Sequence, residues 1–160
     1  MLSADDLERL YVSHEKALYN IALRWTFVPA QAEELVQDAF AKVWDRRHEV
    51  AQDTAAAYVF QTLLNLAKNF ARRRSTRERL KNLLAPLWPA SDDREPAQLV
   101  DEQALQRALQ QLPAKQRSVV LLCEFSGLNQ VDIAQALGIA PGTVASRRHA
   151  ALGRLKKLLQ

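Results

Sequence analysis

The stretch LPAKQRSVVLLCEFSGLNQVDIAQALGIAPGTVASRRHAALGRLKKLL, residues 112–159, holds two short helices and a long basic one in the order that a helix-turn-helix requires. Val131, Ile133, Ala134 and Leu137 recur near the helical period. Asn129 can accept a hydrogen bond as N-cap with Asp132 three residues on, and Gly138 can take the left-handed conformation that stops a helix. The spacing therefore predicts a helix over roughly 130–137. After Ile139 and Ala140, Pro141 fits the first turn of a new helix, where its missing N–H is no loss, and Val144, Ala151, Leu152, Leu155 and Leu159 form an apolar stripe along it. Gly142, Thr143, Ser146, His149, Ala150 and Gly153 then lie on the far side, small and hydroxylated enough to approach base edges, with Arg147 and Arg154 on the flanks. Arg147, Arg148, Arg154, Lys156 and Lys157 meet no acid after residue 140. A solvated surface helix would account for the charge run alone. The turn, the Gly–Pro spacing and the small outward residues together favour a reader of duplex DNA.

Working outward, the whole chain has 160 residues, a formal net charge of +4 and 48% hydrophobic content, enough for one medium domain or two small packed ones. No apolar run approaches the ~20 residues of a membrane span, and Met1 leads into Asp5, Asp6 and Glu8 rather than a basic segment before an apolar one. The expectation is a cytoplasmic protein without membrane insertion. The one cysteine, Cys123, cannot pair internally, and beside the apolar run Val119 to Leu122 it reads as a buried small hydrophobe.

Helix signals run almost everywhere and no alternating strand stands out; only four glycines occur in the chain, which fits an all-α protein with short connections. Leu7, Leu10, Tyr11, His14, Leu18, Ile21, Ala22 and Trp25 mark a first amphipathic helix. Pro29 opens a second, whose apolar side is Ala32, Leu35, Val36, Ala39, Phe40, Val43 and Trp44, while Glu33, Glu34, Gln37, Asp38, Lys42 and Asp45 face solvent. A third begins near Thr54 as N-cap and runs through Tyr58, Leu63, Leu66, Ala67 and Phe70 into a basic end, Arg72, Arg73, Arg74, Arg77, Arg79 and Lys81. Pro86, Pro89 and Pro96, with Ser91, Asp92, Asp93 and Glu95, interrupt the helices, so residues 84–98 read as a flexible linker in which Trp88 is unusual. Two small helical domains, 1–83 and 99–160, are expected on either side of it.

AEELVQDAFAKVW at 32–44, NLAKNFARRR at 65–74 and LPAKQRSVVLLCEFSGLNQVDIAQALGIAPGTVASR at 112–147 resemble, in the same order and with a similar linker, the two domains of extracytoplasmic-function sigma factors of bacterial RNA polymerase. The resemblance spans nearly the whole chain outside the linker. It implies an alternative sigma factor that binds core polymerase and directs promoter-specific initiation. The face formed by Glu33, Glu34, Gln37, Asp38 and Lys42 would meet the clamp helices of the polymerase. Tyr58, Gln61, Asn65, Lys68, Asn69, Arg72 and Arg73 would melt and hold the non-template strand of the minus-ten element; an aromatic ring, amides and cations suit capture of an unstacked base beside its phosphates. Thr143, Ser146 and Arg147, supported by Arg148 and His149, would read the minus-thirty-five duplex, with the apolar surface of that domain on the polymerase flap. Promoter DNA and core polymerase are the implied partners, and an anti-sigma factor a further one. Relative to the family, Tyr58 stands where Trp is frequent, Ala140 where a capping Ser is usual, and Arg148 where Leu is common.

No enzyme is expected. His14, His48 and His149 are scattered, no Cys/His cluster has metal-ligand spacing, no glycine loop could cradle phosphate, and Glu33, Glu34 and Asp38 lie on a helix face without a converging base. Neither metal nor cofactor is implied. Two other readings compete: a stand-alone helix-turn-helix regulator whose N-terminal helices dimerise, and an adaptor that mimics a sigma factor to sequester its inhibitor.

Overall fold

The computed structural model describes residues 1–84 and 100–160, and within them the side chains outside 79–101. Of the linker expected at 84–98, Leu84 ends α3, and the rest, Trp88 included, falls outside the described residues, as do the side chains of Arg79 and Lys81. Among those described, seven α-helices and one short 3-10 turn account for the regular structure, and there is no strand. The expected all-α class is what the chain adopts.

Helix α1, Ala4–Thr26, starts at a reciprocal cap: the Asp6 amide donates to Ser3 Oγ at 3.1 Å while Asp6 Oδ2 accepts from the Ser3 amide at 2.8 Å. It ends where Phe27 takes the left-handed conformation, φ 57°, and its amide bonds the Leu23 carbonyl at 2.7 Å. Helix α2, Pro29–Asp45, begins on the expected proline and buries Ala32, Leu35, Val36, Ala39, Phe40 and Val43. Trp44, expected at the end of that stripe, is 37% exposed and carries the Arg47 guanidinium over its ring at 4.0 Å. Tyr11 likewise lies at the rim, edge-on to Phe40 at 5.0 Å, and not inside.

Helix α3, Ala55–Leu84, starts directly after Thr54, where its sequence signal places it. A 3-10 turn, Gln52–Thr54, precedes it, and the Thr54 hydroxyl donates back to the Ala51 carbonyl at 3.3 Å. Phe60, Leu63, Leu64 and Ala67 bury one side of α3 against α1 and α2, with His14 edge-on to the Phe60 ring at 5.5 Å. That burial pushes the His14 imidazole below its ordinary pKa. Because Phe60 is fully enclosed, Phe60→Ala should destabilise the fold by about 3–5 kcal/mol through lost transfer energy and the cavity left behind. Urea unfolding followed by circular dichroism should show that as a lower midpoint at unchanged slope; an unshifted midpoint would mean that this packing contributes little.

The C-terminal half contains α4, Val100–Gln111; α5, Ala114–Phe125; α6, Gln130–Leu137; and α7, Pro141–Leu158. Sequence periodicity from Leu112 onward anticipated the last three and missed α4. In α6 both signals are present as expected: Asn129 Oδ1 accepts from the Asp132 amide at 2.8 Å, and Gly138 sits at φ 67°. Gly127, φ 71°, makes the other left-handed step, between α5 and α6. Val131 is 64% exposed, however, and the buried side of α6 is Ile133, Ala134 and Ala136. The stripe of α7 is narrower than expected: Val144, Ala151 and Leu155 are buried, whereas Leu152 and Leu159 are 37% and 47% exposed.

The described helices of the two halves pack on one another. Helix α5 packs on α1 and α6 on α3, so that Leu121, Leu122, Ile133, Ala134 and Val144 join one apolar cluster with the core of the first three helices. A smaller cluster of Ala108, Leu109, Leu112, Val120, Ala151 and Leu155 holds α4, α5 and α7 together. Cation–ring contacts close the seam, with Arg24 over Phe125 at 4.0 Å and Arg117 over Trp25 at 4.4 Å. Burial of Arg117 brings its pKa down to about 10, and its Nη2 donates to the Gln110 carbonyl at 2.9 Å.

Candidate functional site

Helix α2 divides cleanly. Its buried positions repeat at three and four residues, which leaves Glu33, Glu34, Gln37, Asp38 and Lys42 on the opposite side, all exposed. Glu33 and Gln37 also border a cleft of about 570 Å³ toward α1, together with Tyr11, Glu15, Lys16 and Tyr19.

Toward its C-terminal end the same helix meets α3. A cleft of about 490 Å³ is lined there by Tyr58, Gln61, Thr62, Asn65, Leu66 and Asn69 from α3 and by Lys42, Asp45 and Arg46 from α2 and the residue after it. Tyr58, Gln61, Asn65 and Asn69 share this cleft because steps of three and four residues return to one helix face. Lys42 therefore stands at the border of two expected surfaces. Asp45 and Arg46 were not among the sequence candidates, although their spacing from Lys42 puts all three on one face. The cleft presents a phenol ring, amides able to donate and accept, one carboxylate and two cations, which is suited to an extruded base and its backbone.

Lys68 and Arg72 turn the other way, into a cleft of about 700 Å³ between α1, α3, α4 and α5 that also holds Trp25, Arg74, Lys115 and Arg117. Partial burial, then Arg72, then Lys115 push the Lys68 ammonium below its ordinary pKa. Arg72 donates to Asn69 Oδ1, tying the two groups of α3 side chains together. Arg73 is exposed and lines neither cleft.

On α7, Gly142, Ser146, His149, Ala150 and Gly153 are exposed and Thr143 and Arg147 half-buried; a Cβ placed on Gly142 or Gly153 would meet nothing within 4 Å. This face is open to a close approach. Ser146 Oγ donates to the Thr143 carbonyl at 3.1 Å. Arg148 behaves differently: its Nη2 lies 2.9 Å from Glu124 Oε1 of α5, and that carboxylate raises the guanidinium pKa further. Cys123 beside it is half-buried rather than enclosed, and burial pushes its thiol up. Among the described residues no group of His, Cys, Asp and Glu could hold a metal ion, and no helix is long and apolar enough to cross a membrane.

The family profile for sigma-70 region 2 matches residues 10–77, and that for sigma-70, region 4 matches 102–155. The ECF RNA polymerase sigma factor SigL of Mycobacterium tuberculosis is 34% identical over 164 residues, spanning 96% of this chain and 89% of that protein. The chain belongs to the ECF RNA polymerase sigma factors. The RNA polymerase sigma-E factor of Streptomyces coelicolor is 32% identical over 155 residues, covering 96% of this chain and 86% of that one. Among solved structures, the sigma factor RpoE of Bartonella quintana, determined with the anti-sigma factor NepR, superposes with a TM-score of 0.67 at 29% identity over 98% of both chains. As an ECF sigma factor the protein is an alternative sigma subunit that binds core RNA polymerase and promoter DNA; the family is not one of enzymes.

Proposed function

We propose that this ECF sigma factor divides its work between an N-terminal domain, residues 1–83, and a C-terminal domain, residues 99–160, joined at 84–98, acting in the cytoplasm. Glu33, Glu34, Gln37 and Asp38 of α2 meet the polymerase clamp, and the apolar surface of the C-terminal domain meets the flap. Tyr58, Gln61, Asn65 and Asn69 take an unstacked base of the minus-ten strand, while Lys68, Arg72 and Arg73, outside that cleft, hold the backbone of the flanking part of the strand; Lys42 serves the edge where the two surfaces join. Thr143, Ser146, Arg147 and His149 read the minus-thirty-five duplex. Arg148, turned toward Glu124, is set apart from them. The observation that carries this reading is the cleft between α2 and α3, where ring, amides and cations converge beside an exposed acidic face. An anti-sigma factor is a further partner on the likeness to RpoE, which was determined bound to one.

Run-off transcription with core polymerase and a promoter obtained by selection tests the whole reading. Transcripts that need both this chain and that promoter support it. A stand-alone regulator would bind duplex without supporting initiation, and a sequestering adaptor would do neither.

The duplex-reading face has its own test, since Arg147 flanks Thr143 and Ser146 while Lys156 and Lys157 lie two or more turns later. A lost base contact should cost ~1–3 kcal/mol and relax preference at one position, whereas a lost phosphate contact should weaken all sequences alike. Competition binding of the holoenzyme to a panel of minus-thirty-five variants should thus show a flattened panel for Arg147→Ala and a uniform shift for Lys156→Ala. A uniform shift for both would move specificity to other residues of α7.

A further inference from the structure

We propose that Glu124 limits the duplex affinity of the C-terminal domain, holding the Arg148 guanidinium so that one cation of the recognition helix is kept off the DNA backbone. The inference rests on the reading of α7 as the duplex-binding helix.

Arg148 occupies the α7 line defined by the buried Val144, Ala151 and Leu155, four residues after the first and three before the second. A guanidinium at such a position must either be desolvated or find a partner at the rim of the helix pair. It finds Glu124, 24 residues away on α5, at 2.9 Å. The side chains are 48% and 43% exposed, so the pair stands in water, and Arg148 lines a groove of about 420 Å³ with Cys123, Gln130, Ala145 and His149. Among the described residues Arg147, Arg154, Lys156 and Lys157 form no ion pair. One acid thus restrains one particular cation of an otherwise unrestrained basic helix.

An exposed ion pair is individually weak and exchangeable, but while it is formed its cation releases no counterions from DNA. Each phosphate neutralised contributes about 0.9 to the salt slope, a roughly 3–4-fold change in affinity over a fourfold change in salt. That contribution is independent of sequence, so withholding it lowers affinity for promoter and random duplex alike and makes binding less dependent on salt.

The test uses the full chain and a random-sequence duplex, with affinity followed by fluorescence anisotropy across a salt series. Glu124→Gln should steepen the salt slope by about one and tighten low-salt binding several-fold. Arg148→Ala alone should leave the slope where it is, and Arg148→Ala added to Glu124→Gln should cancel the gain. A wild-type slope in Glu124→Gln overturns the proposal. So does a gain that survives Arg148→Ala, which would mean that any lost negative charge suffices, or a lower slope in Arg148→Ala alone, which would put the guanidinium on phosphate already. A wild-type chain that binds no duplex, yet supports promoter-dependent transcription with core polymerase, overturns it too, while leaving the sigma-factor reading intact.

Discussion

A chain carrying Glu34→Lys together with Asp38→Lys should fail to co-purify with core polymerase while keeping its helical content. Both side chains are exposed on α2 and neither takes part in an ion pair among the described residues, so their replacement breaks no fold contact described here. The buried side of the helix, Ala32, Leu35, Val36, Ala39, Phe40 and Val43, is untouched. Lysine is as good a helix former as glutamate, and neither residue lies in the first turn of α2, where a carboxylate would favour the helix N-terminus. At an interface, by contrast, turning two attractive charges into like-charge contacts costs several kcal/mol, more than a hundredfold in affinity. Affinity capture on tagged polymerase reads the loss, and far-ultraviolet circular dichroism reads the fold. Recovery at wild-type yield would remove α2 from the polymerase interface.

The second large effect belongs to strand opening. Tyr58→Ala and Asn65→Ala should reduce the promoter bubble far more than they reduce polymerase binding, because the cleft that these side chains line can be filled only once a base has left the duplex. Loss of one base stack costs ~1–3 kcal/mol, on the order of 5- to 150-fold in open-complex population. Arg72→Ala should act in the same direction and also release Asn69, whose amide oxygen Arg72 holds. Permanganate reactivity of unpaired thymines, normalised to bound polymerase, makes the comparison. Equal reactivity in all variants would exclude the cleft as the base-holding site.

Much of the fold was legible because it is local. Three- and four-residue periodicity placed α1, α2, α3, α5, α6 and α7, and two backbone devices bounded α6: an Asn side chain able to cap its first turn and a glycine free to adopt φ 67°. The exposed acidic face of α2 followed from the same arithmetic, since a helix that buries one side must show the other. Helix α4 was missed because its burial is a consequence of neighbours: Ala108, Leu109 and Leu112 are covered only when α5 and α7 are in place. Thr54 marks the start of α3 from its type and position, whereas the 3-10 turn before it, in which the Thr54 hydroxyl donates to Ala51, has no signal in the sequence.

The sequence by itself determined the all-helical class, the helix-turn-helix with its open small-residue face, the charge of each surface and, through three motifs in order, the resemblance to sigma factors. Only the tertiary structure decided which of these residues share a space. It brought Asp45 and Arg46 into the cleft beside Tyr58, sent Lys68 and Arg72 to the opposite cleft, and turned Arg148 from the recognition face to Glu124. It also packed α5 and α6 onto α1 and α3. The physical reason is range: a helix's period and its caps are set within about four residues of chain, whereas contacts such as that of Arg148 with Glu124 join residues 24 apart, and which partner a long cation reaches depends on how whole helices cross.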